Sequence, residues 1–248
     1  SRSRRGFGSI KIERIDENGK NIEKNCFGLS FLPDRDLENW IKRNLDKIKG
    51  ILNSKSRADI PFIFNNFEIF KLTKENYNKW KEWIKKVQVG RGGKFLKKFW
   101  SNKNLNKWNE ILDFMGFLLM AYRSYYNPDY NTAKDMLRNE TKSNSIFEKA
   151  IFGLPLNFYF SSIKEGEIVH LKHNKDILRR ASPLIIKIIE NSKNYEAFFI
   201  SMKSTFMPSN SNIAFSKKEA QLPKNIWQAI DNFISSLQNY EIIRRIYP

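Results

Sequence analysis

Apolar residues recur along this chain at two spacings, three to four residues in some stretches and two in others, which separates helices from strands. Leu37, Trp40, Ile41, Leu45 and Ile48 form one helical face, with Asp34 or Asp36 as its N-terminal cap and Gly50 where a C-terminal cap belongs. Thr73 can cap a second helix that runs to about Gln88, with Tyr77, Trp80, Ile84 and Val87 on one side. The strongest helical signal is Leu105, Trp108, Ile111, Leu112, Met115, Leu118, Leu119 and Tyr122, whose aromatic residues are expected in the core. A last helix, from about Pro223 to Leu237, presents Ile226, Trp227, Ile230, Phe233, Ile234 and Leu237.

The strand signals are shorter. Ile10, Ile12 and Ile15 follow a glycine-containing loop, and Asp16-Glu-Asn-Gly19 has the composition of a turn that returns the chain through Ile22–Leu29. Phe62, Phe64, Phe67 and Ile69 suit a strand within Pro61–Leu72, with a slip at Asn65-Asn66. Ser145–Phe152 predicts a short helix ending at Gly153. Leu156–Phe160, Glu167–Leu171 and Leu184–Ile189 predict strands, and Asn191-Ser-Lys-Asn194 turns into Tyr195–Met202 as a hairpin. Residues 51–60 and 207–212 are polar enough to be loops, and 124–141 is a polar, tyrosine-bearing insertion after which the composition shifts. This order of elements predicts an α+β fold and not a regular βαβ alternation.

Composition narrows the partners. Of 248 residues, 41% are apolar, with 20 Phe, 9 Tyr and 6 Trp, so the chain can build real cores and is not disordered overall. Lys and Arg total 44 against 26 Asp and Glu, a net charge of +18 that favours a polyanion: nucleic acid first, an anionic membrane surface second. Lysine-rich composition also follows from A+T-rich coding, but arginines cluster at Arg2/Arg4/Arg5, Arg179/Arg180 and Arg244/Arg245. The single Cys26 excludes an internal disulfide framework and a thiolate zinc site, which fits a reducing compartment. The longest apolar run, Phe114 to Tyr122, is too short to span a bilayer. The expectation is a cytoplasmic protein without a secretory signal. Its start, without Met and at a loop with no strand before it, suggests a piece of a longer chain.

That start, Ser1-Arg-Ser-Arg-Arg-Gly-Phe-Gly-Ser9, runs three arginines into a Gly-x-Gly loop. Glycines let the backbone approach a ligand closely, successive N–H groups can cradle an anion, and guanidinium forks match phosphate oxygens. A disordered Arg/Gly tail has the same composition.

Read with Arg179-Arg-Ala-Ser-Pro-Leu184 and Ile151-Phe-Gly-Leu-Pro155, the opening loop resembles the glycine-rich loop of RAMP proteins, RNA-binding subunits of CRISPR effector complexes. The closest likeness is to the subunit-one family of type III-B (Cmr) complexes. The three motifs cover about a tenth of the chain but agree in order and approximate spacing along most of it. The resemblance implies ferredoxin-like (RRM-like) RAMP domains: residues 1–72 the remainder of a first, incomplete domain, 73–144 a helical insertion, and 145–248 a second domain. It implies a non-catalytic subunit that binds guide (CRISPR) RNA and target RNA near the guide 3′ end, beside other subunits of the complex, in antiviral defence.

In that reading Arg2, Arg4 and Arg5 hold phosphates while Gly6 and Gly8 admit the backbone. Phe7 either stacks on a base or anchors the loop from beneath. Arg179 and Arg180 precede a strand, so at least one should face solvent, as an RNA or subunit contact or as a solvated strand edge. Arg91 and Lys94 belong to a second basic glycine loop, Gly90-Arg-Gly-Gly93, that opens either an anion site or a plain interhelical turn. No catalytic or metal set is expected. His170 and His173, three residues apart, would lie on opposite faces of a strand, and no Cys/His or carboxylate cluster is visible. The glycine loop lacks the Gly-Lys-Ser/Thr ending of a nucleotide-binding loop, and no small-molecule cofactor is implied. Two alternatives stand beside this reading: a metal-independent RAMP endoribonuclease that processes CRISPR transcripts, and a scaffold subunit without direct RNA contact.

Overall fold

The computed structural model describes residues 16–17, 20–21, 35–52, 67–87, 105–125, 129–138, 145–160, 162, 164–173, 176–191, 194–203, 211–215 and 218–248. The architecture is α+β, with two larger antiparallel-rich sheets and a two-stranded pair, β1 (Asp16–Glu17) with β2 (Lys20–Asn21); β1 takes the first two residues of the expected turn.

Helix α1 (Leu37–Leu52) starts where the sequence indicates. Asp36 Oδ1 accepts the backbone N–H of Asn39 at 3.1 Å, which satisfies one of the donors a helix start leaves open. Gly50 does not cap this helix; it lies inside the last turn, where a Cβ would meet nothing within 4 Å. The next strand, β3 (Phe67–Leu72), leads into a 3₁₀ segment (Lys74–Lys79) and then α2 (Trp80–Val87). Thr73 makes no side-chain cap; its backbone N–H bonds Ile242 O at 2.9 Å, tying the segment to the C-terminal part of the chain.

Helix α3 (Trp108–Tyr125) fulfils the strongest sequence signal, with Phe114, Met115, Leu118 and Tyr122 fully enclosed. Trp108 departs from it: at the first turn of the helix it is 50% exposed. The polar, tyrosine-bearing insertion contains a helix that the sequence reading does not assign, α4 (Asp129–Leu137), which buries Ala133 and Met136. Two apolar residues three apart are too short a pattern to register as periodic.

The rest of the chain is mostly strand: β4 (Ser145–Ile146), a 3₁₀ turn (Glu148–Phe152), β5 (Leu156–Phe160), β6 (Glu165–His173), β7 (Asp176–Leu178), β8 (Leu184–Asn191), β9 (Asn194–Met202), β10 (Ser211–Phe215) and β11 (Lys218–Gln221). Helix α5 (Gln228–Asn239) and strand β12 (Ile243–Tyr247) follow. Sequence pattern finds β5, β6, β8 and β9 within a few residues. It misses β7, β10, β11 and β12, strands of only three to five residues without a sustained apolar alternation.

One sheet has the order β12-β3-β9-β8, every neighbour antiparallel. Helices α2, α3 and α5 cover one face, where Phe70, Ile186, Phe199 and Phe233 meet. Helix α1 covers the other, over Phe67, Ile69, Phe198 and Ile246. This sheet joins residues that the sequence reading assigns to separate segments. The strand ending at residue 72 pairs with two strands of the 145–248 segment, and the helices expected as an insertion roof the same sheet.

The second sheet runs β4-β11-β10-β6-β5, with β7 also on β6. Only β4 with β11 is parallel. Its core unites α4 residues Ala133 and Met136 with Phe147, Phe160, Val169, Ile213 and Phe215. The 3₁₀ turn lies between the two cores: Ala150 belongs to this one, while Ile151 and Phe152 belong to the larger one. No described helix is long and apolar enough to cross a membrane.

Candidate nucleic-acid interface

Strand alternation divides the six-stranded sheet into two unlike faces. On β5, Leu156, Phe158 and Phe160 face the α4 side, which leaves Asn157 and Tyr159 on the other. On β6, Val169 and Leu171 are buried in the core, so Ile168, His170 and Lys172 share the outer face. Register completes the row. Tyr159 lies opposite Gly166 and Asn157 opposite Ile168, while Lys172 has Ile177 on one side and Asn212 on the other. Tyr159, Ile168 and Ile177 join no core and are 67%, 43% and 67% exposed.

Gly166 has a specific role here. A Cβ at this position would sit 3.4 Å from Tyr159 Cδ2 and 3.2 Å from Phe158 O. The tyrosine ring therefore lies against bare backbone across the strand pair, with most of its surface turned to solvent. Carboxylates are sparse on this face. Glu219 accepts a hydrogen bond from Asn212 Nδ2 at 2.7 Å.

Where β5 and β7 meet the rest of the protein, two sequence motifs come together. Leu154 and Arg180 exchange both backbone hydrogen bonds, Leu154 N to Arg180 O at 2.7 Å and Arg180 N to Leu154 O at 3.1 Å. The Leu154–Pro155 bond is cis. Gly153 adopts φ +117°, and a Cβ there would stand 3.1 Å from Ser182 N and 3.2 Å from Arg180 O, so both conformation and space require glycine. Ser182 Oγ accepts the N–H of Leu184 at 3.1 Å, and Pro183 O accepts that of Met202 at 3.0 Å. These bonds anchor the Arg179–Pro183 connection to the start of β8 and the end of β9.

Arg179 and Arg180 differ accordingly. Arg179 is exposed directly after β7, and Arg180 is half-buried. Because Leu178 packs inward opposite Leu171, alternation carries Arg179 to the same face as Ile177.

The other expected residues divide into two groups. Arg2, Arg4, Arg5, Gly6, Phe7, Gly8, Arg91 and Lys94 lie outside the described residues. Arg244 and Arg245, an arginine cluster in the sequence, are engaged internally on opposite faces of the four-stranded sheet. Arg244 pairs with Glu38 of α1, and Arg245 pairs with Glu68 of β3. Lys71 joins the first group, 2.9 Å from Glu38 and 2.7 Å from Glu196. Burial alone would raise the Glu38 carboxyl, but hydrogen bonds from Lys71 and Arg244 outweigh it and hold the group below its ordinary range.

The histidines sit as strand geometry predicts. His170 is on the outer face, opposite Ala214. His173, three residues on, is 2.9 Å from Ser211 Oγ through Nδ1. Among the described residues no three His, Cys, Asp or Glu side chains converge as a metal site requires.

Sequence reasoning passes over the buried pair Asp129 and Lys149. Asp129 is fully buried, and its two oxygens accept the N–H groups of Glu148 and Lys149 at 3.0 and 2.8 Å, clamping α4 to the 3₁₀ turn. Burial pushes the Asp129 carboxyl up to about 6 against those two bonds, and pulls the Lys149 ammonium down to about 8. Tyr159 is missed for a simpler reason. Leu156–Phe160 reads as an apolar strand, although its alternation already sets Asn157 and Tyr159 apart from the other three. Comparison with protein-family models, curated proteins and solved structures finds no match for this chain.

Proposed function

We propose that this protein is a non-catalytic RNA-binding subunit of a type III-B CRISPR ribonucleoprotein, holding guide or target RNA through its phosphate backbone. The observation that carries the reading is the Leu154–Arg180 bridge. Two of the three segments that resemble the RAMP family, 151–155 and 179–183, lie far apart in sequence yet bond to each other, with Arg179 left exposed beside them. The net charge of +18 supports a polyanionic partner.

Strand order supports the fold half of the proposal. From β3 through a helical stretch to β8, β9, α5 and β12, the four-stranded sheet follows a β-α-β-β-α-β path with helices α3 and α5 on one face. Numbered along that path its strands stand 4-1-3-2, the order that a ferredoxin-like unit would require. In this reading β3 is the first strand of the ferredoxin-like unit, and the six-stranded sheet is built from insertions into it.

Cationic side chains on phosphates position a strand without reading bases, so affinity should fall steeply with salt and vary little with sequence. Fluorescence anisotropy with single-stranded RNAs of unrelated sequence, at several salt concentrations, tests this. Arg179→Ala should reduce the log–log salt slope by about 1. Binding that resists salt, or that is tight for one sequence alone, overturns the reading. Metal-independent cleavage of repeat RNA, lost in His170→Ala or His173→Ala, would favour an endoribonuclease instead.

A further inference from the structure

We propose that the outer face of the six-stranded sheet is a stacking platform for unpaired bases, with Tyr159 as its principal contact. The inference rests on the RNA-binding reading and adds a feature that phosphate contacts do not supply: preference for single strands.

Three observations lead there. The ring of Tyr159 is 67% exposed while its neighbour across the strand pair is Gly166, so it is supported by backbone and not hidden by an opposing side chain. Side chains that normally seek burial extend from it across the sheet. Ile168 and Ile177 remain 43% and 67% exposed, interleaved with His170 and with the polar Asn157 and Asn212. Cations border the surface: Lys172 stands between Ile177 and Asn212, and Arg179 follows directly after β7. The nearby acid, Glu219, is occupied by Asn212.

An apolar protein partner would be met by a continuous hydrophobic patch, whereas here each apolar residue has an amide or a cation beside it. Flat apolar surface with amide donors and a cationic margin matches a nucleobase with its phosphate. Duplex RNA buries its base faces in its own stack and has none to offer Tyr159.

The test compares the parent chain with Tyr159→Ala and Tyr159→Phe, using labelled ten-nucleotide poly-U and poly-A and a duplex of the same length. Tyr159→Ala should weaken single-strand binding roughly 5- to 100-fold, leave the salt slope unchanged and leave duplex binding untouched. Tyr159→Phe keeps the ring and should stay within about twofold of the parent. Unchanged single-strand affinity in Tyr159→Ala, or a Phe variant as weak as Ala, overturns the platform while salt-dependent binding by the parent leaves the RNA reading standing. A parent chain that binds no RNA removes both. Should sedimentation show self-association that Tyr159→Ala abolishes, the face belongs to a second copy of the chain and the platform is likewise overturned.

Discussion

The two larger sheets share the same pleated geometry but use it differently. In the four-stranded sheet both faces are roofed by helices, so Ile186, Ala197 and Phe199 enter one core while Phe67, Ile69 and Phe198 enter another. In the six-stranded sheet one face meets α4 and the other keeps Tyr159, Ile168 and Ile177 in solvent. The comparison teaches that an aromatic residue on a strand has no fixed meaning. Phe199 and Tyr159 stand on neighbouring sheets of one molecule, one fully buried and the other two-thirds exposed. The first contributes to stability through its packing, whereas the second, mostly in solvent, contributes little to folding.

The sharpest way to break this contrast is to truncate an aromatic in each region. Phe233 touches Tyr122, Phe152 and Phe199 at centroid distances of 5.1, 6.1 and 5.4 Å. Phe233→Ala should cost about 3–5 kcal/mol in urea unfolding. The same truncation at Tyr159 should stay within about 0.5 kcal/mol. Equal losses would erase the distinction between the sheets.

Next in size is a pH effect confined to the six-stranded side. An unfolded aspartate titrates near 3.8 and Asp129 in the fold near 6. Between those values the native state holds a proton that the unfolded chain has released, so this group's stabilisation is full below about 4 and is lost as pH rises through 6. Lys149, lowered from 10.5 to about 8, adds stability as pH rises from 8 towards 10.5. Urea unfolding at pH 4.5 and pH 7 should differ by about 1–3 kcal/mol through Asp129, and Asp129→Asn should flatten that limb of the profile.

Gly153→Ala probes the seam between the sheets. The residue lies at φ +117° with backbone atoms about a Cβ away, so substitution should cost about 1–3 kcal/mol by unfolding and shift the Leu154 and Arg180 amide resonances. The smallest effect belongs to Arg244. Its side chain is 53% exposed, and Arg244→Ala should cost about 1 kcal/mol or less in urea unfolding.

Legibility in the sequence followed the length of each pattern. Helices α1, α3 and α5 and the hairpin β8–β9 repeat apolar residues long enough to be read, and of the two cap candidates, Asp34 and Asp36, the hydrogen bond to Asn39 belongs to Asp36. Helix α4 and strands β10 to β12 are short, and their burial depends on partners distant in the chain, so no local period marks them. Local pattern also cannot reveal that Arg244 and Arg245 are held by Glu38 and Glu68, since those carboxylates lie far upstream. Of the candidate site, Arg179 and Arg180 were visible as charges. Their difference in exposure is a tertiary feature that local pattern does not carry, and the outer face appears only once β5, β6 and β7 are in register.

The position of β3 has a consequence for how this protein is made. Phe67–Leu72, Phe-Glu-Ile-Phe-Lys-Leu, is flanked in the finished sheet by β9 and β12. At a synthesis rate of about 5–20 residues per second, roughly 10–35 s pass between its emergence and that of β12. Until β9 emerges, roughly 6–26 s after β3 at the same rate, a strand rich in phenylalanine has neither lateral neighbour, the condition under which nascent chains recruit chaperones or pair with one another. The glutamate and lysine inside it, which end up in ion pairs with Arg245 and Glu38, are charges of the kind that discourage such pairing while the strand waits.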